Sequence, residues 1–211
     1  MDRSLPLKWL FCLSLFLSTN AGLVVAQDRP ALTPAKPAGT ATAIFAGGCF
    51  WCIEADFEKL PGVIGAESGY TAGKTVNPTY EQVSAGGTGH TEAIRVSYDP
   101  ARVSYQQLVD YFWRHIDPTV KDRQFCDIGS QYRSGIYWQN EAERKIVEAS
   151  RDALLKSGKL KQIHTELAAA TVFYPAEEYH QDYYKKNPIR YGYYRNGCGR
   201  DARVKEIWGD K

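Results

Sequence analysis

Two cysteines lie three residues apart in the segment AGGCFWCIEADF, residues 46–57. Cys49 follows two glycines, and Cys52 follows an aromatic pair. Three kinds of chemistry use such a spacing: a redox-active dithiol, half of a zinc site, or a nucleophilic thiol with an incidental neighbour. Because the thiolate is the reactive form of cysteine, the surroundings of Cys49 decide among them.

A zinc site is disfavoured by the positions of the other cysteines and of the histidines. A structural zinc ion needs four ligands, which usually come as two close pairs. Cys126 and Cys198 are far apart in the sequence, and no histidine forms a tight pair with a cysteine. The histidines are His90, His115, His164 and His180. We therefore expect neither a metal nor another cofactor.

A thioredoxin-like oxidoreductase also begins a helix with C-x-x-C, which would account for Cys49 and Cys52. It does not account for Cys198, which lies between two glycines near the end of the chain. Glycines on both sides let a segment move, which suits a cysteine that travels to meet a partner. The alternatives are that Cys198 is a simple turn residue or is bonded to Cys126.

The composition indicates an ordinary globular protein. The chain has 211 residues, 44% of them hydrophobic and 24% charged, with a formal net charge of +2. This length and balance suit one domain with a substantial core. Lysine and arginine are scattered without a long basic run, so nucleic acid is not an expected partner.

The N-terminal segment reads as a secretory signal peptide, residues 1–26. A basic start precedes an apolar run, and Val24 and Ala26 give a small-residue cleavage site. Residues 27–39 are rich in proline and alanine and predict a flexible tether. We expect the catalytic domain to be residues 40–211, exported to a bacterial periplasm or secreted, without stable membrane association once the signal is cleaved. An uncleaved membrane anchor is the alternative.

The elements around Cys49 are a strand followed by a helix. TAIFAGG is a short apolar run that ends in glycines, which predicts a buried strand. Phe50, Ile53 and Phe57 then have helical spacing, and Pro61 stops the helix. Cys49 would thus lie at a helix N-terminus, where free amides and the positive end of the helix dipole stabilise a thiolate.

Glu92 lies in the alternating segment TEAIRVSYD, which predicts a strand. It shares a face with Ile94, Val96 and Tyr98, so its carboxyl would be removed from water. Removal from water raises the pKa of a carboxyl and keeps it protonated. The alternative is that Glu92 lies at the end of the strand and reaches solvent.

The remaining patterns predict an α+β fold. After its opening residues the segment 63–90 reads as a long loop, while YRSGIYW and LAAATVFY read as strands. Capping residues start helices at Ser104 and Asn140, and Pro175 is expected to start a short one. We expect a two-layer sandwich, with a mixed sheet, packed helices, a ferredoxin-like core and long functional loops, followed by a mobile C-terminal tail.

Four segments together resemble type A peptide methionine sulfoxide reductases. They are GGCFWCIEADF, GYTAGKTVNPTYEQVSAGGTGHTEAIRVSYDP, DIGSQYRSGIY and ATVFYPAEEYHQDYY. The resemblance extends from about Ala43 to about Tyr184, and its motifs are long and ordered. It implies an enzyme that reduces the S epimer of methionine sulfoxide, free or in proteins, as a repair of oxidative damage.

The resemblance also implies roles for individual residues. Cys49 would attack the sulfoxide sulfur, while Phe50 and Trp51 would form the apolar pocket for the methyl group. The other members of the implied site are Glu92, Tyr80, Tyr132 and Asp127. Glu92 and the two tyrosines would donate hydrogen bonds to the sulfoxide oxygen, which requires a protonated carboxyl. Asp127 would shape the site; without the resemblance, the aromatic residues would be read as packing residues.

The attack would leave Cys49 as a sulfenic acid, which a second thiol converts to a disulfide. The resemblance makes Cys198 the resolving cysteine, and a thioredoxin-like protein the external reductant. Two features depart from the family. Cys52 stands where many members have glycine, so it could resolve or relay, and Cys126 stands beside Asp127 as an inert residue or a further redox partner. We rank Cys198 first, Cys52 second and Cys126 third as the resolver.

Overall fold

The computed structural model describes residues 39–209. The expected signal peptide and nearly all of the expected tether lie outside the described residues, so both stay predictions. Among the helices between residues 39 and 209, none has the length and apolar character needed to cross a lipid bilayer.

The main sheet has six strands and is mixed, as expected. The described residues contain β1 Ala41–Gly47, β2 Val63–Thr71, β3 Thr91–Tyr98, β4 Arg123–Gln124, β5 Asp127–Ile128, β6 Ser134–Trp138, β7 Glu166–Ala169 and β8 Tyr174–Pro175. The order in the sheet is β7-β6-β1-β3-β2-β8, and β4 pairs with β5 in a separate ribbon. β6 and β7 are parallel, whereas the other neighbours in the sheet are antiparallel.

Two helices begin where the capping residues Ser104 and Asn140 predict. The described residues contain α1 Phe50–Phe57, α2 Tyr80–Ala85, α3 Tyr105–Trp113, α4 Glu141–Lys156, α5 Tyr183–Lys186, α6 Pro188–Gly197 and α7 Arg200–Trp208. The Ser104 side chain caps α3 in a capping box with Gln107, and the Asn140 side chain accepts from the backbone N–H of Glu143 at the start of α4. Both predicted helix starts are confirmed.

The core lies between the sheet and the helices. Phe45 of β1 is fully buried, and its ring centroid lies 4.9 Å from that of Phe57 in α1 and 5.2 Å from that of Phe112 in α3. A smaller cluster covers the opposite face of the sheet: Ile44, Ala46, Ala93 and Tyr137. Neighbouring residues of β1 therefore point to opposite faces, as the period of a strand requires. The α+β sandwich is confirmed.

The segment 63–90 contains more regular structure than its composition predicts. β2 occupies its first nine residues, and Thr79 starts α2 through a capping box with Gln82. Gly69 explains part of the error: a Cβ there would lie 2.4 Å from the Phe173 ring, so this strand glycine serves close packing. Glycine content alone indicated a loop.

The C-terminal quarter also differs from expectation. Pro175 does not start a helix; it lies in β8 at the edge of the sheet, where a residue without a backbone N–H is tolerated. A 3-10 turn over Glu178–His180 and the short α5 follow. The segment around Cys198 is the junction of α6 and α7, with Arg200 only 2% exposed. The mobility of this tail stays a prediction.

Candidate active site

The turn between β1 and α1 places Cys49 at the N-cap of the helix, as predicted. Gly48 has a φ of +80°, and a Cβ on it would lie 2.5 Å from Cβ of Gln124. The Gln124 side chain cannot easily move aside, because it accepts from the backbone N–H of Asp117 and donates to the carbonyl oxygen of the same residue. Glycine is therefore required for both the backbone conformation and the space.

The Cys49 thiol is more protected than the sequence predicts. Its residue is 6% exposed, and the thiol shares hydrogen bonds with Cys52 and with the Tyr194 hydroxyl. Burial raises the pKa of Cys49 well above its ordinary value, and the neighbouring Cys52 and Glu92 raise it further. The expected thiolate at the helix N-terminus is therefore wrong for this state, because removal from water outweighs the helix dipole.

Cys52 carries the opposite shift. The hydrogen bond from Cys49 lowers the pKa of Cys52, burial opposes this, and the positive charges of Arg200 and Arg195 lower it further. The pKa of Cys49 is thus raised and that of Cys52 lowered, so Cys52 is the more acidic thiol of the pair. Because the two thiols are hydrogen-bonded, a proton can pass between them when Cys49 attacks a substrate.

Glu92 lies inside the fold, on the face of β3 that the strand pattern predicts. It is 2% exposed, and its Oε2 accepts a hydrogen bond of 3.0 Å from the backbone N–H of Phe50. Burial raises the pKa of Glu92 to about 8, with smaller contributions from Asp127 and Cys52, whereas the Phe50 N–H opposes the rise. At neutral pH the carboxyl is protonated and can act as an acid next to Cys49.

The two tyrosines lie close to the same groups. Burial raises the pKa of Tyr80 to about 12, and the charges of Glu92 and Cys49 add to this shift. The pKa of Tyr132 is raised by burial and then by Glu92, Tyr80 and Asp127. Both phenols therefore keep their protons and can donate hydrogen bonds. The structure places near one another the three groups that the family resemblance names as donors, Glu92, Tyr80 and Tyr132.

Phe50 and Trp51 lie at the start of α1, beside Cys49. Phe50 is 1% exposed, and Trp51 is half-buried. The Trp51 indole donates a hydrogen bond of 3.0 Å to Nδ1 of His180, and it stacks on Tyr183 with a centroid distance of 3.7 Å. The indole is thus held beside Cys49 by the C-terminal part of the chain.

Asp127 connects the dithiol to the end of the chain. Its Oδ2 accepts a hydrogen bond of 2.6 Å from the Tyr194 hydroxyl, which also contacts the Cys49 thiol. Burial raises the pKa of Asp127, while Tyr194 and Arg200 oppose the shift. Sγ of Cys198 lies 3.9 Å from the same Oδ2. A chain of contacts therefore runs from Cys49 through Tyr194 and Asp127 to Cys198.

Cys198 is joined to Cys126 by a disulfide, with their Cα atoms 4.9 Å apart. The expected first partner of Cys198 was Cys49, yet Cys49 and Cys52 are both free thiols in this structure. Cys126 is exposed and Cys198 is half-buried. The structure thus shows one oxidised pair facing the surface and one reduced pair inside.

Two groups of side chains in the described residues are close enough to hold a metal ion, and neither includes Cys49 or Cys52. They are Cys126, Asp127 and Cys198, and Glu54, Glu58 and Asp182. The sulfurs of the first group are joined in the disulfide, and Nζ of Lys185 lies 2.5 Å from the Glu58 carboxylate in the second. The surroundings of Cys49 are therefore those of a dithiol beside the carboxyl group of Glu92.

Sequence reasoning missed five residues around the dithiol. They are His180, Tyr183, Tyr194, Arg195 and Arg200, all from the C-terminal segment. Tyr194 lies one helical turn before Cys198, and a helical reading of that segment would have drawn attention to it. Treating the segment as a flexible tail removed this signal.

The family comparison agrees with this geometry. The model of the family described as peptide methionine sulfoxide reductase matches residues 41–211. Peptide methionine sulfoxide reductase MsrA 2 of Caulobacter vibrioides is 48% identical over 186 residues, which cover 88% of this chain and 93% of that protein. The MsrA 2 protein of Rhizobium meliloti is 50% identical over 181 residues, with coverage of 85% and 89%.

A solved structure gives the same result. Mxr1 of Saccharomyces cerevisiae in its reduced form has a TM-score of 0.69 and 32% identity, and the match covers 73% of this chain and 89% of that one. The structural likeness thus extends over nearly the whole of that chain. The region that the family model matches includes the β1–α1 turn and its two thiols. This protein belongs to the peptide methionine sulfoxide reductase family.

Proposed function

We propose that this family member reduces the S epimer of methionine sulfoxide, free or in proteins, and that a thioredoxin-like protein reduces it in turn. The observation that carries the proposal is the buried, protonated Glu92 next to a buried dithiol. A sulfoxide oxygen is a strong hydrogen-bond acceptor, and it leaves only when protonated. The site supplies the acid, the nucleophile and two further phenolic donors.

The reaction balances with the groups present. Cys49 gives its proton to Cys52 and forms a bond to the sulfoxide sulfur, while Glu92 protonates the oxygen. The hydroxyl group then passes from the substrate sulfur to the sulfur of Cys49 as the bond between these two sulfurs breaks, so methionine leaves and Cys49 becomes a sulfenic acid. Cys52 attacks the sulfur of Cys49, and the hydroxyl group leaves as water with the proton that Cys52 had accepted. The two thiols are oxidised to a disulfide, and the sulfoxide is reduced to a thioether.

The choice of epimer follows from three fixed positions around one sulfur. The methyl group lies against Phe50 and Trp51, the oxygen faces Glu92 and the tyrosines, and the path of attack points to Cys49. Three fixed positions distinguish the two mirror-image forms at sulfur, because only one places all three substituents correctly. The family resemblance identifies the accepted form as S.

The epimer is tested with the purified protein and a small dithiol as reductant. We expect the S epimer of a methionine sulfoxide peptide to be converted to methionine, and the R epimer to react slower by a factor of about 100 or more. Chiral chromatography of the remaining sulfoxide measures both. Equal consumption of the two epimers, or consumption of neither, would contradict the proposal.

We assign the surface disulfide to the last step of the cycle. Cys52 is in hydrogen-bond contact with Cys49, whereas Cys198 is reached only through Tyr194 and Asp127. Cys52 is therefore better placed than Cys198 to resolve the sulfenic acid. Cys198 then attacks the inner disulfide, and Cys126 attacks Cys198, which leaves the inner pair reduced and the outer pair oxidised.

An external reductant can reach the exposed sulfur of Cys126. Attack there by a dithiol protein releases Cys198 and completes the cycle. A structure of yeast Mxr1 has been solved in complex with Trx2. We also propose that residues 1–26 direct export, so that the reductant acts outside the cytosol; N-terminal sequencing of the mature protein would then begin at Gln27.

The relay is tested with Cys126→Ser. We expect each protein molecule to release one methionine at the normal rate. Turnover with a thioredoxin-type reductant should then fall by about tenfold or more, because the exposed sulfur that the reductant attacks is lost. Mass spectrometry should find the Cys49–Cys52 disulfide in the stalled protein. A small dithiol that reaches the inner pair serves as the control and should restore turnover. Wild-type turnover with the protein reductant would remove Cys126 from the cycle.

A further inference from the structure

We infer that Arg195 and Arg200 are positioning residues that hold Cys52 as a thiolate, ready to resolve the sulfenic acid of Cys49. This inference rests on the proposed function, because it concerns the step after the substrate has been reduced. Both arginines come from the end of the chain, on either side of Cys198. Neither touches the reacting sulfur of the substrate in the proposed reaction.

The geometry of α1 brings the two guanidinium groups to Cys52. Cys52 and Asp56 are four residues apart, so they share one face of the helix. Asp56 Oδ1 lies 2.9 Å from Nη2 of Arg195, and its Oδ2 lies 3.6 Å from Nε of Arg200. Nη1 of Arg195 also donates to the Cys52 carbonyl oxygen at 3.4 Å. Asp56 therefore anchors both cations on the helix face that carries Cys52.

Arg200 is deeply buried. The Arg200 side chain is 2% exposed, and its two terminal nitrogens donate to the carbonyl oxygens of Gly47 at 3.0 Å and His115 at 2.9 Å. Its guanidinium also lies 4.5 Å from the centre of the Phe125 ring. These contacts are neutral and fix the position of the charge, which the Asp56 carboxylate balances in part.

One donor of Arg200 remains unused. Among the described residues, its Nε has no hydrogen-bond partner, and neither has the facing Oδ2 of Asp56. The two atoms lie 3.6 Å apart, so the Asp56 carboxylate balances part of the Arg200 charge without a hydrogen bond. Cys52 is 2% exposed and lies in the same buried region, where its thiolate adds a further negative charge that faces the arginines.

The charges near Cys52 favour the thiolate overall. Arg195 and Arg200 face it from α6 and α7, and Asp56 is the opposing anion on its own helix. Asp201 also pairs with Arg195, but its side chain is 60% exposed, so water weakens its effect. In a region with little water, two buried cations outweigh one buried anion.

The inference is tested with Arg195→Met, which keeps the length of the side chain and removes the charge. The thiolate absorbance of Cys52 is titrated in a Cys49→Ser background, with the Cys49→Ser/Cys52→Ser protein subtracted. We expect the midpoint to rise by about one pH unit. In the Arg195→Met protein that retains Cys49, trapping with a sulfenic-acid reagent should show that the sulfenic acid becomes a disulfide about tenfold more slowly at neutral pH. Arg195→Lys should restore most of both values.

A second variant separates electrostatics from folding. Asp201→Asn removes the exposed anion that competes for Arg195, so the Cys52 midpoint should fall and resolution should become faster. Loss of structure alone would slow resolution in both variants. Arg144→Met on α4 is the matched control, because this exposed arginine pairs with Glu141 and Glu148 of its own helix; we expect no change.

The outcomes distinguish the inference from the function on which it rests. An unchanged midpoint in Arg195→Met, with a normal thermal unfolding curve, would overturn the inference. A wild-type protein that forms no Cys49–Cys52 disulfide after one turnover would instead overturn the assignment of Cys52 as resolver. In that case the titration still shows whether the arginines lower the midpoint of Cys52, since it needs no substrate.

Discussion

Replacing Cys49 with serine is expected to abolish methionine sulfoxide reduction, with a loss of about 10⁴-fold or more. A serine hydroxyl keeps its proton at neutral pH and is a poor nucleophile toward sulfur. It also cannot take up the oxidation state of the substrate, as a thiol does when it becomes a sulfenic acid. The loss should therefore affect the first turnover as well as the steady state. Methionine released in a single turnover is the measurement.

The control for this substitution is Cys12→Ser in the full-length chain. Cys12 belongs to the expected signal peptide, so the same chemical change there should leave the activity unchanged. Methionine release by Cys49→Ser at a rate comparable to the control would refute the assignment of the nucleophile. It would also remove the reason for a protonated acid beside this thiol.

The second large effect is expected for Glu92→Gln. The amide keeps a hydrogen-bond donor of the same shape but cannot transfer a proton, so the rate should fall by about 10²- to 10³-fold. In the wild-type protein kcat/KM should fall as the pH rises through about 8, because Glu92 then loses its proton. The variant should show no such fall. The measurement is the pH dependence of kcat/KM for the sulfoxide.

The same substitution should change stability in the opposite direction. The pKa of Glu92 is raised in the folded protein, so the folded state binds the proton more tightly than the unfolded state. Stability from this group is therefore complete at acidic pH and is lost as the pH rises toward and through about 8. Glu92→Gln removes this loss and should raise the free energy of unfolding at alkaline pH by a few kcal/mol, on the order set by the shift.

Glu141→Gln is the matched control, since this glutamate lies on the exposed first turn of α4. It should alter neither the pH profile nor the alkaline stability. A Glu92→Gln protein that keeps the wild-type rate at every pH would show that Glu92 is not the acid. Equal alkaline stability of wild type and variant would show that the carboxyl is not held in its neutral form.

Local patterns in the sequence were sufficient for the elements that carry Cys49 and Glu92. A strand ending in two glycines and followed by helical spacing placed Cys49 at the N-cap, and strand alternation placed Glu92 inside. The capping residues Ser104 and Asn140 fixed two helix starts. Each of these predictions depends on residues within one or two turns of each other, where sequence spacing and spatial distance agree.

The remaining features depend on contacts between distant parts of the chain. His180 holds the Trp51 indole across 129 residues, and Arg200 binds the Gly47 carbonyl across 153. No periodic pattern in the sequence indicates contacts between residues so far apart. The acidity of the dithiol is a further example: helix position predicted a thiolate at Cys49, whereas burial raises the pKa of Cys49. The hydrogen bond from Cys49 lowers the pKa of Cys52, and Arg200 and Arg195 lower it further. Electrostatics inside a fold depends on the whole fold.

The contact between Tyr194 and the Cys49 thiol has a consequence for which damaged residues the enzyme can repair. In this state the Cys49 residue is 6% exposed, and the phenol beside its thiol is held by Asp127. A sulfoxide can therefore reach the sulfur only when these surroundings open, so we expect an oxidised methionine in a loose or denatured stretch to be reduced faster than one held inside a helix or a sheet. Access to the enclosed thiol would then set which damaged residues are repaired first.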